Sequence, residues 1–150
     1  MDSSQHPSHG ASPPVATRQL EILDEERCRE LLQSATVGRL AVSTAFGPEI
    51  FPVNFVVVHN ALVFATDPGV KLDHSSFARV ALETDCLDPV TRTGWVVVAK
   101  GHAEDISDGA DILSTRLREV EIDSWVQAPH RHRVAIMHPS VSGRRLVAGR

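Results

Sequence analysis

Tyrosine is absent from the 150 residues, which removes every mechanism that depends on a phenol. Cysteine occurs twice, at Cys28 and Cys86, too far apart for a CxxC pair. Neither a disulfide framework nor a cysteine-rich zinc site is therefore available. No apolar run approaches the roughly 20 residues that span a bilayer. Residues 1–17 have neither a basic start nor an apolar stretch, so no secretory signal is visible and the chain is expected in the cytoplasm. Positive charge is not in excess: 15 Lys and Arg against 19 Asp and Glu leave a formal net charge of −4. That balance supplies no general attraction for nucleic acid or anionic membrane. The common catalytic and nucleotide signatures are missing too, with no GxGxxG after a strand, no GxxxxGK[ST], no HExxH and no GxSxG.

What is present is ordinary for one soluble domain, with 42% hydrophobic and 23% charged residues. A chain of this length buries enough surface for a real core. Residues 1–17, rich in Ser, Pro, His and Gly, have little to bury and are expected to form a disordered tail. His6 and His9 within it could bind a metal, but a solvated tail explains them more simply. The folded domain is expected over 18–150.

Structure is expected from about Leu20. Asp24 suits an N-cap, and Cys28, Leu31, Leu32 and Ala35 share one face of the helix that follows. Cys28 is then a small core residue. Val37 to Ser43 alternates as a strand does, and Ala45-Phe46-Gly47-Pro48 is hairpin-turn chemistry. Glu49 to Val58 is apolar enough to read as a strand buried on both faces. Pro52 interrupts it and marks an edge, a bulge or a ligand-facing break, because proline cannot donate to a ladder. Further strands are expected at Ala61–Thr66, Ala78–Leu87 and Gly94–Ala103, a helix at Asp108–Ile122, and a closing β segment at Arg133–Val147. Strands joined mainly by hairpins, with few helices, indicate an antiparallel barrel.

The turn Thr66-Asp67-Pro68-Gly69-Val70-Lys71-Leu72 combines a hydroxyl, a helix-start signal and an ammonium, a set that can hold phosphate. A capped helix with an exposed lysine accounts for the same residues. Arg39 is a lone cation in an apolar strand: exposed on the outer face, or turned inward and paired, with phosphate a suitable partner. Asn54 is an amide in an apolar run, to be satisfied by backbone or by the edge of a planar heteroaromatic ring. Trp95 and Trp125 read as core or interface packing before ring-stacking platforms. His130, His132 and His138, with Arg131 and Arg133, match no standard zinc spacing and read first as a solvated or interface loop, with a haem ligand as the alternative.

Several short stretches in order carry a resemblance. They are Val37-Gly38-Arg39-Leu40-Ala41, Pro52-Val53-Asn54-Phe55, Thr66 to Leu72, Leu87-Asp88-Pro89-Val90-Thr91-Arg92-Thr93-Gly94-Trp95, and the terminal Ser142-Gly143-Arg144-Arg145. Together, from about residue 20 to 147, the sequence resembles the pyridoxamine 5′-phosphate oxidase-like, FMN-binding split β-barrels, in their small actinobacterial-type branch. The resemblance implies a six-stranded antiparallel split β-barrel with two or three short flanking helices. It also implies a homodimer with FMN sites at the subunit interface, a small-molecule substrate, and no nucleic acid or membrane partner. Thr66 and Lys71 match the family's phosphate-holding positions. The segment Ile50, Phe51, Pro52, Val53 and Asn54 is similar to the strand that runs along the isoalloxazine ring. By the same resemblance Arg39 lies near the phosphate or the dimer partner, Trp95 near the ring, and Trp125 with the loop to Arg133 closes the site from the second subunit.

The departures narrow the activity. The extra basic residues and the Ser/Tyr-Arg-x-x-x-Ser substrate element of pyridoxamine phosphate oxidases are missing, so oxidation of pyridoxamine phosphate is not expected. Where the family's turn carries an Arg-Lys pair, this chain has Val70-Lys71. The expected function is a flavin-dependent oxidoreductase in which the cofactor supplies the hydride chemistry and no side chain is an evident acid or base. The alternatives are a reductase using the deazaflavin coenzyme F420, a non-catalytic flavin-binding or sensor protein, and a haem-binding split barrel.

Overall fold

The computed structural model describes residues 18–66, 78–126 and 132–149. Along the described chain run β1 (Arg18–Leu23), α1 (Glu25–Ser34), β2 (Val37–Thr44), β3 (Gly47–Val58) and β4 (Ala61–Thr66). They are followed by β5 (Ala78–Asp88), β6 (Thr93–Asp105), α2 (Ile112–Arg118), β7 (His132–Met137) and β8 (Ser140–Ala148). The expected tail 1–17 lies outside the described residues.

All pairings are antiparallel, in the order β1-β8-β6-β5-β2-β3-β4-β7, and β7 returns to pair with β6. The return closes β6, β5, β2, β3, β4 and β7 into a ring. The expected six-stranded barrel is therefore present, with β8 and β1 added as an extension. The split lies along β6. One flank of β6 pairs with β8 from Gly94 to Lys100 and then with β7 from Ala103 to Asp105. Gly101 occupies the changeover, where a Cβ would stand 2.6 Å from Ile136 Cγ2. Without that atom β7 can close against β6.

Inside the ring, Leu40, Phe55, Leu62, Phe64, Leu82 and Val97 are buried together. The face of α1 formed by Cys28, Leu31 and Leu32 packs onto the same core. Asp24 caps this helix, its carboxylate accepting from Arg27 N at 2.8 Å, and Glu25 and Glu26 in the first turn suit the positive end of the helix dipole. Burial, and then the Asp24 carboxylate, push the Cys28 thiol up, as befits a core residue rather than a nucleophile. Arg29 fastens α1 to two turns: Nη1 donates to Asn60 Oδ1 at 2.6 Å and Nη2 to Pro139 O at 3.3 Å.

A second cluster lies on the outer side of the ring, where Ile106 and Leu117 cover Ala61, Val63 and Ala135. Strand β4 is thus covered on both faces, which is why all six of its positions are buried and its sequence does not alternate.

Four expectations change. Arg18–Leu23 is a strand, where structure is expected only from about Leu20 and no element is expected before the helix. The closing segment is two strands rather than one, turned at His138, whose φ is 46°, and Pro139. Helix α2 spans seven residues rather than Asp108–Ile122: Asp111 caps it by accepting from Ser114 N, and only Ser114 and Leu117 are buried. Strand β3 is not buried on both faces, since Pro48, Glu49, Ile50 and Pro52 are exposed.

Candidate functional site

Residues directly opposite in an antiparallel ladder point to the same face. The register places Pro52, Arg39, Glu83, Val98 and Ser142 in one row across β3, β2, β5, β6 and β8. Asp85, Val96, Arg144 and Ile22 form a neighbouring row across β5, β6, β8 and β1. Ile50, Ala41, Ala81, Lys100 and Ser140 form another. These rows lie on one outer face, and among the described residues no helix covers them, since α2 packs on the β4–β7 side. Ile22 is 85% and Ile50 68% exposed, so the face carries apolar groups set directly in water.

The boundary of this face is Asn54. Its Oδ1 accepts from the Trp125 backbone N–H at 3.0 Å, and its Nδ2 makes a long 3.5 Å contact to Thr36 O. The bond holds the segment after α2 against β3 and leaves the Trp125 side chain three-quarters exposed at the rim. The alternation that brings Ile50, Pro52 and Asn54 outward turns Phe51 and Val53 inward, Val53 into the core and Phe51 against it.

Strand β3 has two different flanks. It pairs with β4 only from Phe55 to Val58, whereas β2 pairs with it along its whole length as far as Asn54. Among the described residues, the other flank of 47–54 carries no strand. Pro52 therefore lies on a half-edge, where a missing N–H is tolerated. Past the last β3–β4 pair, Phe55 with Phe64, the two strands fork: Val53 continues one branch and Thr66 the other. Thr66, 5% exposed, instead pairs with His132 of β7. The fork thus joins a row of peptide donors and acceptors that no described strand pairs with to a buried hydroxyl. Lys71 lies outside the described residues.

Arg39 is on the outer face and more than half exposed, with Nη1 2.8 Å from Asp85 Oδ2 and 3.3 Å from Glu83 Oε1. Its charge is already opposed by two carboxylates, and a phosphate near it would have to compete with both. Glu83 and Asp85, two apart on one strand, necessarily share a face, a signal the sequence contained. Burial first, and then the hydrogen bond and like charge of Asp85, raise the Glu83 carboxyl above its ordinary value, against the pull of Arg39. A raised carboxyl contributes stability below its unfolded value that is lost as pH rises through its folded value. Glu83→Gln should therefore flatten the stability–pH curve between the ordinary carboxylate value and the raised one; urea midpoints across pH 4–7 (an approximate range about the usual carboxylate value) check this.

Trp95 does not join the outer face. It alternates with the exposed row and packs against the barrel core, opposite Cys86 and Arg145. His132 Nδ1 is 3.0 Å from Asp105 Oδ2, and His138 Nδ1 lies 3.1 Å from Asn60 Nδ2. His130 lies outside the described residues. Among the described residues no group of three or more His, Cys, Asp or Glu side chains gathers as a metal set.

A six-strand ring opened along one strand, with two further strands added at the opening, is a split β-barrel. A family model described as pyridoxamine 5′-phosphate oxidase matches residues 24–145, and the chain belongs to that family. An uncharacterized protein of Mycobacterium tuberculosis (strain ATCC 25618 / H37Rv) is 32% identical over 148 residues, 95% of each chain. Of solved structures, the FAD binding protein from Mycobacterium smegmatis is 31% identical with a TM-score of 0.63, covering 83% of this chain and 95% of that one. A conserved protein of unknown function from Corynebacterium diphtheriae is 30% identical with a TM-score of 0.70, covering 85% and 98%.

Proposed function

We propose that the protein is a flavin-binding oxidoreductase that works as a homodimer, with FMN, or the corresponding part of FAD, seated at the fork between β3 and β4. The observation that supports this best is the flank of residues 47–54 beside Thr66, which no strand pairs with among the described residues. An isoalloxazine edge presents donors and acceptors in a plane, the pattern a free strand edge can pair with. The FAD bound by the M. smegmatis relative contains the same ring and first phosphate. In this reading the peptide groups of Ile50 to Asn54 orient the ring edge, Asn54 fixes the Trp125 segment beside it, and Thr66 with Lys71 holds the phosphate. A bound flavin supplies the hydride transfer. The dimer follows from the apolar groups left in water on the outer face, among them Leu20, Ile22 and Ile50.

The reading is tested by titrating the protein with FMN, FAD and coenzyme F420, alongside Lys71→Ala. A charge-assisted phosphate bond contributes about 1.5–3 kcal/mol, so Lys71→Ala should weaken flavin binding about tenfold or more at unchanged thermal stability of the unliganded protein. An unchanged dissociation constant removes Lys71 from the phosphate site. Tight binding of the deazaflavin alone replaces the flavin, and turnover of NAD(P)H or reduced deazaflavin with acceptor dyes separates an enzyme from a binder.

A further inference from the structure

The outer face carries an imbalance of charge that the described residues of one copy do not resolve. On β5, Glu83 and Asp85 share one cation among the described residues, Arg39, which leaves one negative charge in excess. On β8, in the same row as Asp85, Arg144 is exposed and has no carboxylate within 4 Å among the described residues. Val96 of β6 stands between them in that row. Two strand spacings put the acid and the arginine about 10 Å apart, beyond a salt bridge.

We infer that a second copy of this chain docks on the face with its two-fold axis along β6, so that Arg144 of each copy pairs with Asp85 of the other. This rests on the homodimer proposed above and specifies how it forms. An axis lying in the seam parallel to β6 exchanges left and right across that strand, and β5 then meets the partner's β8. Because Asp85, Val96 and Arg144 share a row, the exchange superposes the partner's Arg144 on Asp85 at the same level and brings the two Val96 side chains together. Each copy contributes the pair once, so the contact occurs twice. The same axis sets Lys100 of one copy beside Lys100 of the other, four residues along β6 from Val96, where the long side chain carries each ammonium out to the water at the end of the seam.

The same operation covers the groove of about 410 Å³ between β1, β6 and β8, where Ile22, Val96 and Val98 lie beside Lys100, Ser142 and Arg144. It also locates the cofactor fork relative to the seam. On one side of β6 the face extends two strands, to β1; on the other it extends three, to β3. The partner's β1 therefore ends over β2, and the Ile50–Asn54 face of β3 is left at the margin of the seam, open to a ligand and bordered by the second copy.

The test is a charge exchange read by sedimentation equilibrium, with flavin titration on the same samples. Arg144→Glu and Asp85→Arg should each weaken the dimer at least tenfold, and the double variant should return to within about threefold of the unsubstituted protein. Arg144→Ala, which brings no new charge, should weaken the dimer less and reduce its salt dependence; if the reversals fail to fold by circular dichroism, this variant decides. A dimer unaffected by Arg144→Glu or Arg144→Ala, or a double variant no tighter than either single one, overturns the inference while leaving the flavin reading intact. An unsubstituted protein that is monomeric yet binds flavin overturns the inference and the dimer together. Failure to bind any flavin, in a dimer that responds to the exchange as expected, overturns only the cofactor reading.

Discussion

Phe64→Ala should destabilise the protein by about 3–5 kcal/mol, the range for removing a fully buried aromatic side chain. Phe64 is 0% exposed and lies in the middle of β4, the strand covered both by the barrel interior and by the α2 layer. Its neighbours are held by ladders to β3 and β7, so they cannot collapse into the space it leaves. Against a typical total of about 5–15 kcal/mol, the loss is a large part of the stability. Urea unfolding at fixed protein concentration checks the value, with Phe46→Ala as the control. Phe46 is 98% exposed in the β2–β3 turn, and its removal should change stability by less than about 0.5 kcal/mol. Equal losses at the two positions would mean that β4 does not run through the core.

The second large effect is expected at Gly94, in the hairpin that joins β5 to β6. Its φ is 144°, and a Cβ there would stand 2.2 Å from Cys86 O and 2.9 Å from Leu87 Cα. Backbone strain in such a region costs about 1–3 kcal/mol, and here the clash is with backbone that cannot rotate away. Gly94→Ala should therefore lower stability by at least about 2 kcal/mol. Because β6 is the strand on which the barrel splits and to which β8 is attached, the damage should spread. Hydrogen exchange in β8 should accelerate along with that in the hairpin. A variant as stable as the original, with β8 equally protected, would contradict the placement of this turn.

Much of the barrel was legible because its strands announce themselves locally. Ala61–Thr66 begins at the His59-Asn60 turn and is apolar throughout, and it forms a strand over those residues because both of its faces are covered. Asp24 was readable as a cap, and the Cys28–Leu31–Leu32 face follows directly from helical spacing. The misses have a common origin in distant contacts. Arg18–Leu23 looks unlike a core strand because Leu20 and Ile22 face outward; it is a strand only through its ladder with Leu146 and its neighbours, over 100 residues away. Asp108–Ile122 looks like a longer helix because Ile112 and Leu113 fit the spacing, yet both remain exposed and only one turn of the segment reaches the sheet.

The candidate site divides in the same way. Asn54, Pro52 and Ile50 share a face by simple alternation, which a sequence reveals. That Thr66 stands at the fork beside Val53 depends on where the β3–β4 ladder stops, and no local pattern records this. Arg39 was visible as a cation out of place, but its engagement with Glu83 and Asp85 is set by the β2–β5 register. Trp95 belongs to the opposite face for the same reason of register, and packs on the core.

The most direct measurement is native mass spectrometry of the freshly purified protein after incubation with FMN and FAD. Two flavins on a species of two chains is the predicted result, since in the proposed dimer the second copy borders each fork. A single chain that carries a flavin by itself, or a pair of chains that takes up none, would contradict the account.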